Sequence, residues 1–355
     1  MNRREFLTAG AAFAAGLGFD TSLWAGVPKD FHWAYMVQFG MNMWGDLVVQ
    51  PERNGIMTKH FTDAEFAEYA KFAVKTTQEV CFDENLWRDL SARLRANGCT
   101  TLVVDLGGFV VYPSHPELAL KGSWSAERLR AEVRRLKAMG FEVVPKLNFS
   151  TCHDAWLKEY ARMVSTQKYY QVAADVIRDA YEIFEHPKYV HLGMDEEDIL
   201  SYQSRNTALV RMRQPDLWWH DFNFFVGEVE KLGARAWVWS DYLRRHKVEE
   251  FIAKMPKSVV QSPWTYWSTT PTFEDPLIKI FKTLADNGYD VVPCGSNCYG
   301  VKENFPGMAK FCHENLPAER FMGMIFAPWM ATMPAWRRLL NEGADIFGQA
   351  VRALA

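Results

Sequence analysis

Residues 191–198, His-Leu-Gly-Met-Asp-Glu-Glu-Asp, set four carboxylates in a row behind a short apolar run, residues 188–194. Neighbouring acids repel when both are charged, and burial against rings adds to that cost. One such acid can therefore keep its proton near neutral pH and act as a general acid, while another stabilises developing positive charge. The competing reading is that all four are the first turn of a helix, where the backbone dipole favours negative side chains. A third is a metal centre built on His191, Asp195 and Glu196.

The elements that must position these residues follow a repeating pattern: a helix-like stretch, a glycine, then a short β-branched run. It occurs around Gly98, Gly140, Gly233 and Gly288, each suited to the left-handed position that ends a helix. The spacing predicts strands over 33–39, 99–105, 141–147, 189–193, 234–239, 257–261, 289–293 and 320–326. Between them lie helical patterns such as residues 125–140, where Ser125 caps and Leu129, Val133 and Leu136 share a face. Eight alternating units without a linker predict an α/β chain forming a single (β/α)8 TIM barrel over 26–355. A doubly wound sheet would need fewer strands and a glycine fingerprint after the first, and neither that nor a phosphate loop is present.

Chemistry in such a barrel sits at the C-terminal strand ends. Those ends carry Asp105, Asn148 with His153, His191 with Asp195 and Glu196, Trp239 with Asp241, Trp264 with Trp267, Asn297 with Tyr299, and Trp329. The chain is also aromatic-rich, with 14 Trp, 13 Tyr and 24 Phe in 355 residues. Rings beside turns suit the apolar faces of sugars, although core packing accounts for a single Trp equally well. Paired carboxylates above an aromatic mouth suggest glycoside hydrolysis, one acid protonating the leaving oxygen. A net charge of −3 with interspersed signs argues against nucleic acid as a partner. Six cysteines are too few for a disulfide scaffold; Cys294 and Cys298 are the nearest pair.

Residues 1–25 look like a targeting segment. Arg3 and Arg4 precede a small, apolar run too short to span a bilayer, and Arg-Arg-x-Phe-Leu resembles the twin-arginine signal. Export to the periplasm or beyond is expected, with no membrane association in the mature form.

The segment 191–197 resembles the His-x-Gly-Gly-Asp-Glu motif of glycoside hydrolase family 20, the β-N-acetylhexosaminidases. Along the chain, residues 103–118, 140–153, 237–242, 259–264, 297–300 and 326–332 resemble that family's other strand ends in order. The resemblance implies an exo-acting, retaining, substrate-assisted glycosidase of a 2-acetamido sugar. In it Glu196 is the acid and then the base, Asp195 orients the acetamide, and Tyr299 bonds its carbonyl oxygen. Trp239, Trp264 and Trp329 wall the pocket, His191 and His153 orient the acids, and Asp105 matches the acid of the second strand; Asp241 and Asn148 complete the sugar-facing set. His153 could instead be a surface residue, and Asp105 a cap. No metal or organic cofactor is implied, the partner being an amino-sugar glycan.

Both acids can serve one site only if the strand has ended by Gly193, because adjacent strand residues point to opposite faces. Glu197 and Asp198 keep the helix-start role. The chain also departs from the family: the first strand has Gln38 and Asn42 but no Arg, Met330 and Ala331 follow the last Trp, and Val301 stands where an acid is expected. Lys146 replaces an acid and, if it points inward, favours an acidic or sulfated sugar. A non-catalytic sugar-binding barrel is the remaining alternative. Geometry separates these readings: Asp195 and Glu196 should face one pocket with Tyr299, and a metal centre requires three His or carboxylate groups at ligand distance.

Overall fold

The computed structural model describes residues 31–198, 200, 201, 205–209 and 211–354. The expected export segment lies outside the described residues. Strands β1 (His32–Gln38), β2 (Thr101–Asp105), β3 (Glu142–Lys146), β4 (Tyr189–His191), β5 (Arg235–Trp239), β6 (Val260–Ser262), β7 (Cys294–Gly295) and β8 (Gly323–Phe326) form one sheet. All pairings are parallel, in the order β6-β5-β4-β3-β2-β1-β8-β7. Parallel bridges Gln261↔Val291 and Trp264↔Cys294 join the two ends, so the sheet closes into a (β/α)8 barrel.

Helices α1 (Asp63–Val74), α2 (Glu84–Ala96), α3 (Ala126–Ala138), α4 (Gln167–Ile183), α5 (Pro215–Lys231), α6 (Val248–Lys254), α7 (Pro276–Asp286), α8 (Asn304–Asn315) and α9 (Arg337–Leu354) alternate with the strands. Their starts are chemically marked. Asp83, Ser125 and Thr166 accept from the backbone N–H three residues on, and Asp275 from the one two residues on. Helix α3 buries Leu129, Val133 and Leu136 on one face, as its spacing predicts. The four punctuating glycines have φ between 80° and 91°. None of the described helices is long and apolar enough to cross a membrane.

The strands are buried on both faces, which is why they read as continuous apolar runs. Several boundaries move. The second strand begins at Thr101, the fourth ends at His191 and the eighth begins at Gly323, each two or three residues inside its expected span. The sixth and seventh shift for a definite reason. The sixth strand begins at Val260, after a turn at 257–258, and Pro263, lacking an N–H, ends it. The seventh is expected over 289–293, but only Val291 bridges there; Pro293 interrupts the ladder and pairing resumes at Cys294.

Near the strand ends the register aligns Gln38 with Asp105, Asp105 with Lys146, and Lys146 with His191. All four are at most 1% exposed, so the apolar barrel is capped by a buried polar layer directly under the site. Within it the Lys146 ammonium donates to Asp105 at 2.6 Å.

Candidate active site

The site is built on the loop after β4. The strand ends at His191, whose Nδ1 accepts from the Gly193 N–H at 3.1 Å. Gly193, Met194 and Glu196 then take positive φ of 74°, 71° and 56°. Any side chain at 193 would also meet the Asn148 side-chain oxygen Oδ1, 2.1 Å from the position of a Cβ. This left-handed run cancels strand alternation, so Asp195 and Glu196 line the same cleft as Tyr299.

Both carboxylates converge on one ring nitrogen: His153 Nε2 lies 3.3 Å from Asp195 and 3.2 Å from Glu196. His153 is 2% exposed, which removes the surface reading. Burial alone pulls its pKa down, but the two carboxylates outweigh that and hold it above the ordinary histidine range. Asn148 Nδ2 donates to Asp195 at 2.8 Å, while its side-chain Oδ1 accepts from Ser150 N and Met194 N. The Ser150 hydroxyl donates to the Asp195 carbonyl at 2.5 Å. Asn148 thus fixes a carboxylate and sits behind it.

Trp264, Tyr266, Tyr299 and Trp329 form the aromatic wall. Trp264 stacks on Tyr266 with centroids 4.7 Å apart, and the Arg244 guanidinium lies 3.4 Å over its ring. Burial raises the Tyr299 phenol well above the tyrosine range, which keeps it an O–H donor. The cleft holds about 500 Å³.

Several expected site residues lie elsewhere. Asp105 and Lys146 are sealed below the cleft as a buried pair, so neither reaches a sugar and the basis for an acidic substrate falls away. Trp239 is 2% exposed and packs between His191 and Trp329, under the wall. His191 is fully buried and neutral, its pKa driven well down by burial and by Lys146. Its contacts are with Gly193, Trp237 and Trp239. Asp241 accepts from Trp264 Nε1 at 2.8 Å and lines a second cavity of about 290 Å³ behind the acid loop. Asn297 donates to the Leu339 carbonyl, and Trp267 sits on the rim against Tyr299. All six cysteines are buried free thiols, Cys294 and Cys298 included.

Glu197 and Asp198 do not start a helix; residues 192–197 are in neither helix nor strand. Glu197 is instead 3% exposed at its side chain and paired with Arg213 at 2.5 Å, and it accepts from the N–H groups of Thr151 and Arg213. Its partner is sixteen residues on, which no local motif announces. The cleft also contains Trp44, Tyr69 and Tyr266, which the sequence reading does not single out. Trp44 stands beside Gly45 and Tyr266 between Trp264 and Trp267, the same ring-beside-turn signal used for the others.

Among the described residues, His153, Asp195 and Glu196 each offer a ligand atom within 4.8 Å of the others. That donor set could hold a cation, with His153 in the place expected of His191. An imidazolium at His153 offsets one of the same two negative charges.

The sequence matches no protein-family model and no curated protein. The fold is nonetheless that of the glycoside hydrolase family 20 barrels. A family 20 exo-β-N-acetylglucosaminidase from Vibrio harveyi superposes with a TM-score of 0.54 at 13% identity, over 90% of this chain and 54% of that one. The β-N-acetylhexosaminidase of Bacteroides fragilis gives 0.53 at 12% identity, over 88% and 65%. The Streptomyces coelicolor A3(2) enzyme gives 0.54 at 13%, over 88% and 64%. This chain spans between half and two thirds of the length of these three.

Proposed function

We propose that the protein is an exported glycoside hydrolase, a divergent family 20 enzyme that removes a terminal β-linked 2-acetamido sugar with retention of configuration. The observation that carries this reading is the convergence of Asp195 and Glu196 on His153 in a cleft shared with Tyr299. Glu196 donates its proton to the glycosidic oxygen as the substrate's acetamide oxygen attacks the anomeric carbon, giving an oxazolinium. Asp195, held by Asn148, accepts from the acetamide N–H as positive charge develops there. The Tyr299 hydroxyl donates to the acetamide oxygen. Glu196 then takes a proton from the water that opens the ring, returning the sugar with its original configuration. Trp264 and Trp329 enclose the sugar, and residues 1–25 direct export to the periplasm or outside the cell.

The test is nitrophenol release from 2-acetamido and 2-hydroxy aryl β-glycosides. The wild type is expected to prefer the 2-acetamido donors, with Asp195→Asn and Glu196→Gln each lowering kcat/KM by about 100-fold or more. Glu196→Gln should lose less on a nitrophenyl donor than on a disaccharide, whose poorer leaving group needs the proton. Equal turnover of both donor classes overturns the acetamide as nucleophile. The second reading, a cation held by His153, Asp195 and Glu196, is favoured by their spacing. It requires that a chelator abolish turnover and added divalent cation restore it; the glycosidase reading expects no change.

A further inference from the structure

Trp264, on the cleft wall, is gripped from behind by the turn after β5 (Asp241–Arg244). Asp241 accepts from its Nε1 at 2.8 Å, and Arg244 Nη2 donates to its backbone carbonyl at 2.6 Å. The Arg244 guanidinium also lies 3.4 Å over the indole, while the Tyr266 ring stacks on it at 4.7 Å with 16° between the planes. A guanidinium and a near-parallel ring that close to one indole would overlap if they shared a face. They therefore take opposite faces, and Trp264 meets the cleft edge-on. Arg244 Nε is 3.7 Å from Asp241, beyond hydrogen-bond reach, so the placement of the guanidinium is set chiefly by Trp264. Tyr266 in turn adjoins Tyr299 at 6.2 Å, and Trp267, 6.3 Å from Trp264, meets the same phenol ring at 5.9 Å.

We infer that Arg244 is a positioning residue: it locks Trp264 edge-on and, through the rings packed on Trp264, sets where the Tyr299 hydroxyl meets the substrate's acetamide. The inference rests on the hydrolase reading and deepens it. The two acids are held from elsewhere, by Asn148 and His153 in the loop after β3, so loosening Trp264 leaves them in place. The cation is also within electrostatic reach of the phenol: burial raises the Tyr299 pKa, and the Arg244 charge acts against that rise. Loss of Arg244 should therefore be felt at the 2-acetamido group and not across the whole sugar.

Binding of methyl β-thioglycosides in 2-acetamido and 2-hydroxy form tests it without turnover. Arg244→Met keeps the length of the side chain without its charge or N–H groups. It should weaken the 2-acetamido compound roughly three- to tenfold, the worth of one shielded cation–π contact, and leave the 2-hydroxy compound unchanged. Arg244→Lys keeps the charge but not the planar fork and should fall between. In a Trp264→Leu background the Arg244→Met change should cost nothing more, because the ring it acts through is gone. Arg245→Met, which touches Asp198 instead, should alter neither affinity. Parallel losses for both compounds, a loss undiminished in the Trp264→Leu background, or no loss in Arg244→Met overturns the positioning role. Should Arg244→Met fail to fold, a full wild-type preference in Arg244→Lys overturns it. Equal affinity of the wild type for the two compounds instead overturns the hydrolase reading, so the two failures are distinct.

Discussion

Asn148 shows how much of the site depends on one amide orientation. Two backbone donors, Ser150 N and Met194 N, face its oxygen, so its nitrogen must face Asp195. Asn148→Asp keeps the shape and both backbone bonds but sets a second carboxylate 2.8 Å from Asp195. Two carboxylates that close share a proton, and the sharing removes the full negative charge that the developing oxazolinium needs. Steady-state kinetics at pH 7 should show kcat reduced roughly 10- to 100-fold with a smaller change in KM. An unchanged kcat would mean that Asp195 does not act as an anion. The same pairing explains what the sequence could and could not reveal at this scale. Asp195 and Glu196 are legible from a motif eight residues long, because a loop of left-handed residues needs its glycine nearby. Asp105 and Asn148 are legible as polar residues at strand ends, but not as partners of Lys146 and Asp195, since their roles are set by contacts 41 and 47 residues away.

The loop after β4 is irregular, and its shape is held by anchors rather than by backbone ladders. Glu197 is the principal one, joined to Arg213, which also pairs with Asp221 at 3.1 Å and donates to the Phe149 carbonyl. Removing one member of a buried pair strands the other's charge, at a cost of roughly 3–5 kcal/mol. Glu197→Gln should lie near the lower end of that range, because Asp221 still neutralises Arg213. Asp198 meets Arg245 at 3.5 Å with both side chains partly exposed, so Asp198→Asn should cost less than about 1 kcal/mol. Denaturant unfolding of the two variants checks the contrast, and equal losses would contradict it. Elements are more legible than their ends. Helices with a side-chain cap and a terminal glycine fall where periodicity places them, since those signals are local. Strand β7 does not, because Val291, Val292 and Pro293 look like a strand while the missing N–H of Pro293 decides where pairing resumes.

At the scale of the whole molecule, the barrel mouth stores carboxylates that folding removes from water, and this ties stability to pH. Asp241 is 7% exposed, and burial first, then the charges of Asp195 and Glu196, raise its pKa from an ordinary 3.8 to about 7, against the pull of Arg244. A carboxyl group whose folded pKa is raised binds its proton more tightly in the folded state. Between 3.8 and about 7 the folded protein therefore holds a proton that the unfolded chain has lost, and stability falls as pH rises through that window. Each pH unit inside it costs about 1.4 kcal/mol, an upper figure since water penetration softens the penalty. Other groups titrate over the same range: Asp154 behaves alike, with burial the main cause, while His191, buried neutral, costs stability as pH falls below its ordinary range. The wild-type curve alone is therefore ambiguous, and the difference between wild type and Asp241→Asn isolates one group. The amide of that variant keeps an oxygen for the Trp264 Nε1 bond but carries no charge to bury. The two proteins should melt together near pH 4, and the variant should melt several degrees higher at pH 8, with the gap opening through the intervening window. A variant that melts lower at pH 8 would show that Asp241 is held as an anion by Arg244, and that the second cavity is a polar site rather than a desolvated one.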